Sequence, residues 1–284
     1  MRAAVRRACV IALIVLVVVL LVGATYQGVA TALERREYPH PGQRIDVGGH
    51  QLHLLCTGDS RQQVPAVVLE APETGLSAAW GWVQMEVSKY TRVCSYDRAG
   101  LGWSEAGDAP FNPARVPEEL HTLLQRAKVP GPYVLVGQSL GAAFVRMFAG
   151  RYPGEVSRII LIDPPADPPH QRGLLAVSPW LARAGVLRAS RLLSDTARGL
   201  PPKDAGALGS FLNRPDHLTR SSAELARWDD TVSLAHAARL APDLKVTALQ
   251  VKGGLAGLAN PHSAKRVTAA VLSEANTVWL DRPK

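Results

Sequence analysis

The hydrophobic pattern begins with one long apolar run. Residues 8–25 carry no charge, and at about 1.5 Å per helical residue they extend about 27 Å, close to the roughly 30 Å hydrocarbon layer of a bilayer. Arg2, Arg6 and Arg7 precede the run, which keeps the N-terminus cytoplasmic. We predict a single-pass anchor in the cytoplasmic membrane with the rest of the chain extracytoplasmic. A signal peptide cleaved near residues 30–32, giving a secreted protein, is the alternative.

Beyond a polar connector, short apolar strands alternate with amphipathic helices. Residues 45–56 form a predicted hairpin around Gly48 and Gly49, and "PEELHTLLQRA" at 117–127 is typical of a helix. This alternation predicts a mostly parallel α/β sheet with flanking helices. The further predicted strands cover residues 66–71, 91–97, 133–136, 158–162, 245–251 and 277–280.

The middle of the chain breaks this alternation. Residues 164–243 are predicted as helical pieces separated by Pro and Gly, which indicates an inserted helical cap. The predicted organisation is therefore an N-terminus and anchor at 1–26, a linker at 27–43, core segments at 44–163 and 244–284, and the cap at 164–243.

Composition and charge exclude several classes of function. The chain is 47% apolar and 20% charged, which is typical of a globular protein. Its net charge of +8 comes from scattered residues and not from a basic block with interleaved aromatics, so we predict no nucleic-acid partner. Three cysteines without a CxxC or Cys/His cluster favour no metal, and we predict no cofactor.

The strongest candidate chemistry lies in "GQSLG" at residues 137–141. The motif follows a predicted strand and opens a predicted helix, the context in which G-x-S-x-G presents a nucleophilic serine at a sharp turn. Ser139 is thus the candidate nucleophile. A serine hydroxyl also needs a base, a group that orients the base, and donors for the developing oxyanion.

Together with "VCSYDRAGLGWS" at 93–104 and "RIILID" at 158–163, this motif resembles the α/β-hydrolase fold family from about residue 44 to the end. The chain is most similar to membrane-anchored bacterial members. The resemblance implies a cofactor-independent serine hydrolase that acts on a small acyl or ester substrate. The alternative is a catalytically inactive member of the fold that binds a ligand or a protein, or a truncated gene product.

The resemblance also implies where the oxyanion donors lie. The first is the amide of Leu140, and the second comes from the loop "EAPETGLSAAW", where the amide of Glu73 takes the role. Pro72 stands where the family usually has glycine, and the Glu73 carboxylate brings negative charge close to the oxyanion. The "DRAGLGWS" segment, which includes Asp97, is expected to be a structural turn.

Asp163, at the end of the strand that follows the nucleophile helix, is the expected acid.

The family's histidine precedes a motif similar to "LDRP" at 280–283. The alignment places Asn276 at the position of this histidine, and asparagine cannot accept a proton near neutral pH. His262 is the first candidate for a substitute base and His170 the second, and we expect His262 to point to solvent. The family's closing helix has no counterpart, so the second core segment is expected to be truncated.

The second and fourth strands of this fold are neighbours, and they carry Cys56 and Cys94. A disulfide is therefore expected in an oxidising compartment, with two buried thiols as the alternative.

Overall fold

The computed structural model describes residues 2–59, 64–165 and 172–280. It opens with one helix, α1 (Arg2–Glu37), of 36 residues. Within the described residues this is the one helix long and apolar enough to cross a membrane. The connector predicted from residue 27 is thus helical as far as Glu37, and no proline precedes Pro39 to break it.

Seven strands form one mixed sheet in the order β1-β2-β4-β3-β5-β6-β7. The β1–β2 and β2–β4 pairs are antiparallel, and the remaining pairs are parallel. The predicted hairpin and mostly parallel sheet are confirmed. The strands are β1 (Gln43–Asp46), β2 (Gln51–Thr57), β3 (Val67–Glu70), β4 (Val93–Tyr96), β5 (Tyr133–Gln138), β6 (Val156–Ile162) and β7 (Lys245–Leu249).

The central strands are apolar on both faces because helices cover both sides of the sheet. Every residue of β3, β4 and β5 is buried. On one face, Leu120, Leu123 and Leu124 of α3 pack against the sheet, since their spacing places them on one side of that helix. The core helices are α2 (Gly81–Val87), α3 (Arg115–Arg126), α4 (Leu140–Arg151), α10 (Gly254–Ala259) and α11 (Pro261–Leu280).

The cap between β6 and β7 is helical in its described residues, as predicted. Its helices are α5 (Arg172–Arg183), α6 (Val186–Ser190), α7 (Pro202–Phe211), α8 (Pro215–Ala226) and α9 (Trp228–Ala237). Leu208, Phe211 and Leu218 of the cap belong to the same apolar cluster as Val67 and Leu140 of the core. The cap therefore shares a hydrophobic core with the sheet.

The predicted strand at 277–280 is wrong, because these residues continue α11. Ala264, Val267, Val271 and Ala275 are buried and recur every three or four residues. That spacing gives the helix one buried face, and it outweighs the strand preference of Thr277 and Val278.

The expected disulfide is confirmed. Cys56 and Cys94 lie directly opposite each other in the β2–β4 register and are bonded with an S–S distance of 2.03 Å. Cys9, in α1, is a free cysteine. The antiparallel pairing explains the bond, since cross-strand partners bring their Cβ atoms close together.

Candidate active site

Ser139 occupies a sharp turn between β5 and α4. Its backbone has φ 50° and ψ −120°, a conformation that costs an L-residue energy and that clusters at functional sites. The Ser139 amide donates to the Ile162 carbonyl oxygen at 2.9 Å, which ties the turn to β6. A Cβ at Gly141 would lie 2.6 Å from the Glu70 and Ala71 carbonyl oxygens, so this position of the motif requires glycine.

The loop that faces Ser139 is fixed from both sides. Arg98 donates to the carbonyl oxygens of Ala71 and Pro72 at 2.7 and 3.1 Å. From the cap, His217 Nε2 donates to the Thr74 carbonyl oxygen at 2.9 Å, because its Nδ1 accepts from the Gly102 amide. Thr74 itself has φ 60°. The segment that carries Glu73 is therefore held in one strained conformation.

The Glu73 side chain contacts the groups that were expected to bind an oxyanion. Burial raises the pKa of its carboxyl, and hydrogen bonds from the Ser139 side chain and from the amides of Glu73 and Leu140 offset that rise only in part. Its Oε2 atom is buried without a hydrogen-bond partner. The Glu73 carboxyl thus lies close to the nucleophile and to the Leu140 amide, because both lower its pKa.

Asp163, the expected acid, is engaged elsewhere. Its Oδ1 accepts from the Val251 amide at 2.8 Å and its Oδ2 from the Lys252 amide at 3.0 Å. Its own amide donates to the Leu249 carbonyl oxygen at 2.9 Å. Asp163 therefore holds the turn after β7, and no described histidine contacts its carboxylate.

Neither described candidate for the base, Asn276 or His262, has a hydrogen bond to Ser139. Asn276 is exposed on α11 and does not lie in a loop at the sheet edge, because α11 continues through the predicted strand. His262 is exposed in the first turn of α11, in agreement with the expected solvent orientation, and its amide donates to Asn260 Oδ1. His170 lies outside the described residues.

A different Ser-His-Asp group is buried beneath the site. His53 Nδ1 donates to Asp97 Oδ2 at 3.0 Å, since its Nε2 accepts from the Gly42 amide, and the Ser77 hydroxyl lies 3.4 Å from Nδ1. The Asp97 carboxylate also accepts from the Ser77 and Trp103 amides at 2.6 and 2.9 Å. Burial by itself would raise the pKa of the Asp97 carboxyl, but His53 and the two amides bring it below its ordinary value. Fully buried and saturated with donors, Asp97 holds the predicted turn together.

Arg98 connects this turn to the sheet and to the cap. It pairs with Glu70 of β3 at 2.6 Å and with Glu224 of α8 at 2.8 Å, and all three side chains are buried. Burial raises the pKa of Glu70 to about 7 despite the opposing effect of Arg98. Glu224 has a lowered pKa, because Arg98 and Arg220 outweigh its burial. Sequence reasoning missed this network, since Glu224 lies 126 residues from Arg98.

No group of three or more His, Cys, Asp or Glu side chains in the described ranges could hold a metal ion. Two clefts lie beside the cap. The larger, about 870 Å³, is lined by residues of α1 together with Arg183 and Asp216. The second, about 550 Å³, lies between the "DRAGLGWS" turn and α8. Ser139 lines neither of them.

The elbow, the sheet order and the cap are those of the α/β-hydrolase fold, and comparison with known proteins agrees. A family model described as alpha/beta hydrolase fold matches residues 80–200. The crystal structure of an enol-lactonase from Burkholderia xenovorans superposes with a TM-score of 0.63 at 17% identity, covering 82% of this chain and 100% of that one. A thermophilic esterase from Thermogutta terrifontis gives 0.63 at 19% identity, covering 84% and 99%. The chain therefore has the α/β-hydrolase fold.

One sequence relative is itself a membrane protein. A vacuolar membrane protein of Saccharomyces cerevisiae is 33% identical over 129 residues, or 40% of this chain. The chain spans only 20% of that protein's length. The match, together with the long apolar α1, supports membrane association.

Proposed function

We propose that this chain is a cofactor-independent serine hydrolase that acts on a small acyl or ester substrate, with Ser139 as the nucleophile. The observation that carries the proposal is the conformation of Ser139, which is held at φ 50° where a strand meets a helix N-terminus. Such strain persists only where the surrounding structure enforces it, and here the glycine contacts and the hydrogen bond to β6 enforce it. The turn exposes the hydroxyl next to the Leu140 amide.

Glu73 is the proton acceptor in this proposal. Its carboxyl interacts with the Ser139 side chain, and burial raises its pKa toward that of an effective base near neutral pH. When the proton moves from Ser139 to Glu73, the carboxyl becomes neutral while negative charge develops on the substrate oxygen. The Leu140 and Glu73 amides therefore interact with the Glu73 carboxylate before the proton transfer and with the substrate oxyanion after it, but not with both charges together.

The reaction then follows the acyl-enzyme route. Ser139 Oγ forms a bond to the acyl carbon, and the carbonyl oxygen takes the negative charge. When this intermediate collapses, the bond between the acyl carbon and the alkoxy oxygen breaks, and the alcohol leaves with the proton held by Glu73. Water repeats the sequence on the acyl-enzyme, and Ser139 recovers its proton. The two amides already interact with the Glu73 carboxylate in the ground state, so they stabilise the transition-state oxyanion by a smaller difference. We therefore expect a slow enzyme.

The membrane part of the proposal concerns location. We propose that α1 anchors the chain in a cytoplasmic membrane and that the hydrolase domain lies outside the cytoplasm. The arginines before the apolar run and the Cys56–Cys94 disulfide support this orientation, since disulfides persist in oxidising compartments.

A second candidate function is a catalytically inactive binding protein of the same fold. Two observations favour it: Asp163 is engaged with the turn after β7, and Asn276 is exposed on a helix. In that case the Glu73 carboxyl closes the oxyanion site permanently.

Covalent labelling separates the two functions. Purified full-length chain in detergent is treated with a fluorophosphonate probe beside Ser139→Ala and a matched control, Ser88→Ala, which removes a half-buried serine at the end of α2. Labelling of wild type and Ser88→Ala that disappears in Ser139→Ala is the expected result. Folded wild-type protein that stays unlabelled contradicts the hydrolase proposal and supports the binding protein.

A further inference from the structure

The cap is packed tightly against α1 at the outer end of the apolar run. A Cβ at Gly23 would lie 2.2 Å from the Ala184 carbonyl oxygen, and a Cβ at Gly185 would lie 2.9 Å from the Gly23 carbonyl oxygen. Only residues without a Cβ allow the two backbones to approach this closely. The turn between α5 and α6 therefore touches α1 directly.

Polar contacts fix the next turns of α1 to the same cap. Gln27 is buried, donates to the Asn213 carbonyl oxygen at 2.8 Å and accepts from Arg188 Nε at 3.0 Å. Arg188 also forms an ion pair with Glu34. Because these contacts span residues 23–34 on one helix, the cap has a defined position along α1.

That position corresponds to the edge of the bilayer. The charge-free run ends at residue 25, so Gly23 lies about 3 Å inside its outer end at 1.5 Å per helical residue. Ala184 and Gly185, which touch Gly23, therefore lie at the boundary between hydrocarbon and headgroups if α1 spans the bilayer. This step rests on the proposed membrane anchor and is independent of the chemistry of Ser139.

Large apolar side chains are exposed on the cap beside this contact. Trp180 is 72% exposed, Val177 is 49% exposed and Val186 is 47% exposed. Residues 177, 180 and 184 follow the i, i+3, i+7 spacing that places side chains on one face of a helix. Ala184, the residue after α5 in this series, meets α1 through its carbonyl oxygen. Tryptophan is enriched where a membrane meets water.

The same surface carries a positive charge. The Arg183 guanidinium lies 5.2 Å from the centre of the Trp180 ring, and Arg183 lines the 870 Å³ cleft together with Ala24 and Gln27 of α1. No carboxylate in the described part of the chain forms a salt bridge with Arg183 within 4.0 Å. An arginine beside an exposed tryptophan at the bilayer edge matches the phosphate of a lipid headgroup.

We propose that the cap surface formed by Val177, Trp180, Arg183 and Val186 lies in the headgroup layer of the bilayer that α1 enters. The apolar side chains contact the outer ends of the acyl chains, and Arg183 contacts lipid phosphate. The domain is then held against the membrane by a second contact besides α1, and this contact fixes its orientation relative to the bilayer.

Depth-dependent quenching tests the proposal on the full chain in liposomes. In a Cys9→Ser background an environment-sensitive fluorophore is attached at Trp180→Cys, at Tyr90→Cys as the matched control, or at Val17→Cys as the marker for the spanning helix. Tyr90 is 63% exposed and lies just after α2, in the α/β part of the chain and not in the cap. Side chains of an interfacial surface enter about 5–10 Å into the boundary, so a lipid with its nitroxide near the headgroup is the quencher.

The expected result is blue-shifted, quenched emission at position 180 and unshifted, unquenched emission at position 90. Equal behaviour at the two positions overturns the proposal. Position 17 must be quenched by a nitroxide deep in the acyl chains. If it is not, the anchor itself is wrong, and this failure is distinct from that of the cap surface.

Two further variants protect the test against a folding artefact. Val177→Cys reports on the same face without removing Trp180 and is expected to be quenched as well. Gly23→Leu places a side chain against the Ala184 carbonyl oxygen, so quenching at position 177 is expected to decrease. Unchanged quenching in Gly23→Leu contradicts the role of this contact. Each variant is checked for an intact Cys56–Cys94 disulfide.

Discussion

Replacing Glu73 by glutamine distinguishes the two roles that a carboxyl beside Ser139 can have. The change keeps the shape of the side chain and removes its charge and its ability to accept a proton. If Glu73 is the base, Glu73→Gln removes general-base catalysis, which contributes about 10²- to 10⁴-fold. If the carboxylate only blocks the oxyanion site, the same change relieves repulsion and the reaction accelerates.

The size of the opposite effect follows from Coulomb's law. A carboxylate and an oxyanion that share the same two amides lie about 4 Å apart, and at an effective dielectric constant of about 20 their repulsion is about 4 kcal/mol. Relief of that repulsion corresponds to about a 10³-fold gain. The two hypotheses therefore predict changes of similar size and opposite sign, and we expect the loss.

The assay is hydrolysis of p-nitrophenyl butyrate, with the Ser139→Ala rate subtracted. Glu86→Gln, which neutralises an exposed glutamate of α2, is the matched control and should match wild type. Because burial raises the pKa of Glu73, the wild-type rate should fall on acidification with a midpoint above the ordinary glutamate value of 4.5. This acid limb should be absent from the residual activity of Glu73→Gln. A Glu73→Gln rate equal to or above wild type refutes the base assignment.

Three other variants test the surrounding structure. Arg98→Ala leaves Glu70 and Glu224 buried without their partner, so the free energy of unfolding by denaturant should fall by about 3–5 kcal/mol. The control is Arg126→Ala, at an exposed pair with Asp46, which should change this free energy by less than about 1 kcal/mol. Cys56→Ala/Cys94→Ala opens a loop with a sequence separation of 38 and should cost about 4 kcal/mol, whereas Cys9→Ala should cost nothing in the same measurement. Asn276→His should leave esterase activity unchanged, because residue 276 is exposed on α11. If Asn276→His instead raises esterase activity, and Ser139→Ala abolishes the increase, residue 276 takes the place of the family's histidine.

The sheet was predictable because its signals are local. Runs such as "AVVLEA" are continuously apolar, and the glycines around Ser139 stand between a predicted strand and a predicted helix, where they indicate a sharp turn. The Cys56–Cys94 bond agrees with the strand order that the resemblance to the fold implied, since the two residues lie on adjacent strands. Helix α11 was misjudged at its end because Thr277 and Val278 favour strands locally, while the buried face that keeps them helical begins at Ala264.

The candidate site was less predictable because its decisive contacts join distant segments. Glu73 was expected to contribute an amide and to repel the oxyanion, but its side chain reaches Ser139, 66 residues away in sequence. Asp163 ends its strand where an acid was expected, yet its carboxylate holds the amides of Val251 and Lys252. No local pattern shows which partner such a carboxylate takes, because the choice depends on loops that meet only in the folded chain.

Helix α8 is fixed to the loop that faces Ser139. Its Glu224 pairs with buried Arg98, and its His217 donates to the Thr74 carbonyl oxygen of the loop that carries Glu73. Lifting α8 would leave Arg98 without one of its two carboxylates, and breaking a buried pair costs about 3–5 kcal/mol. The cap is also fixed to α1 through Gln27 and Arg188. These contacts tie the cap to the core and to α1, so moving it would break buried polar interactions on both sides.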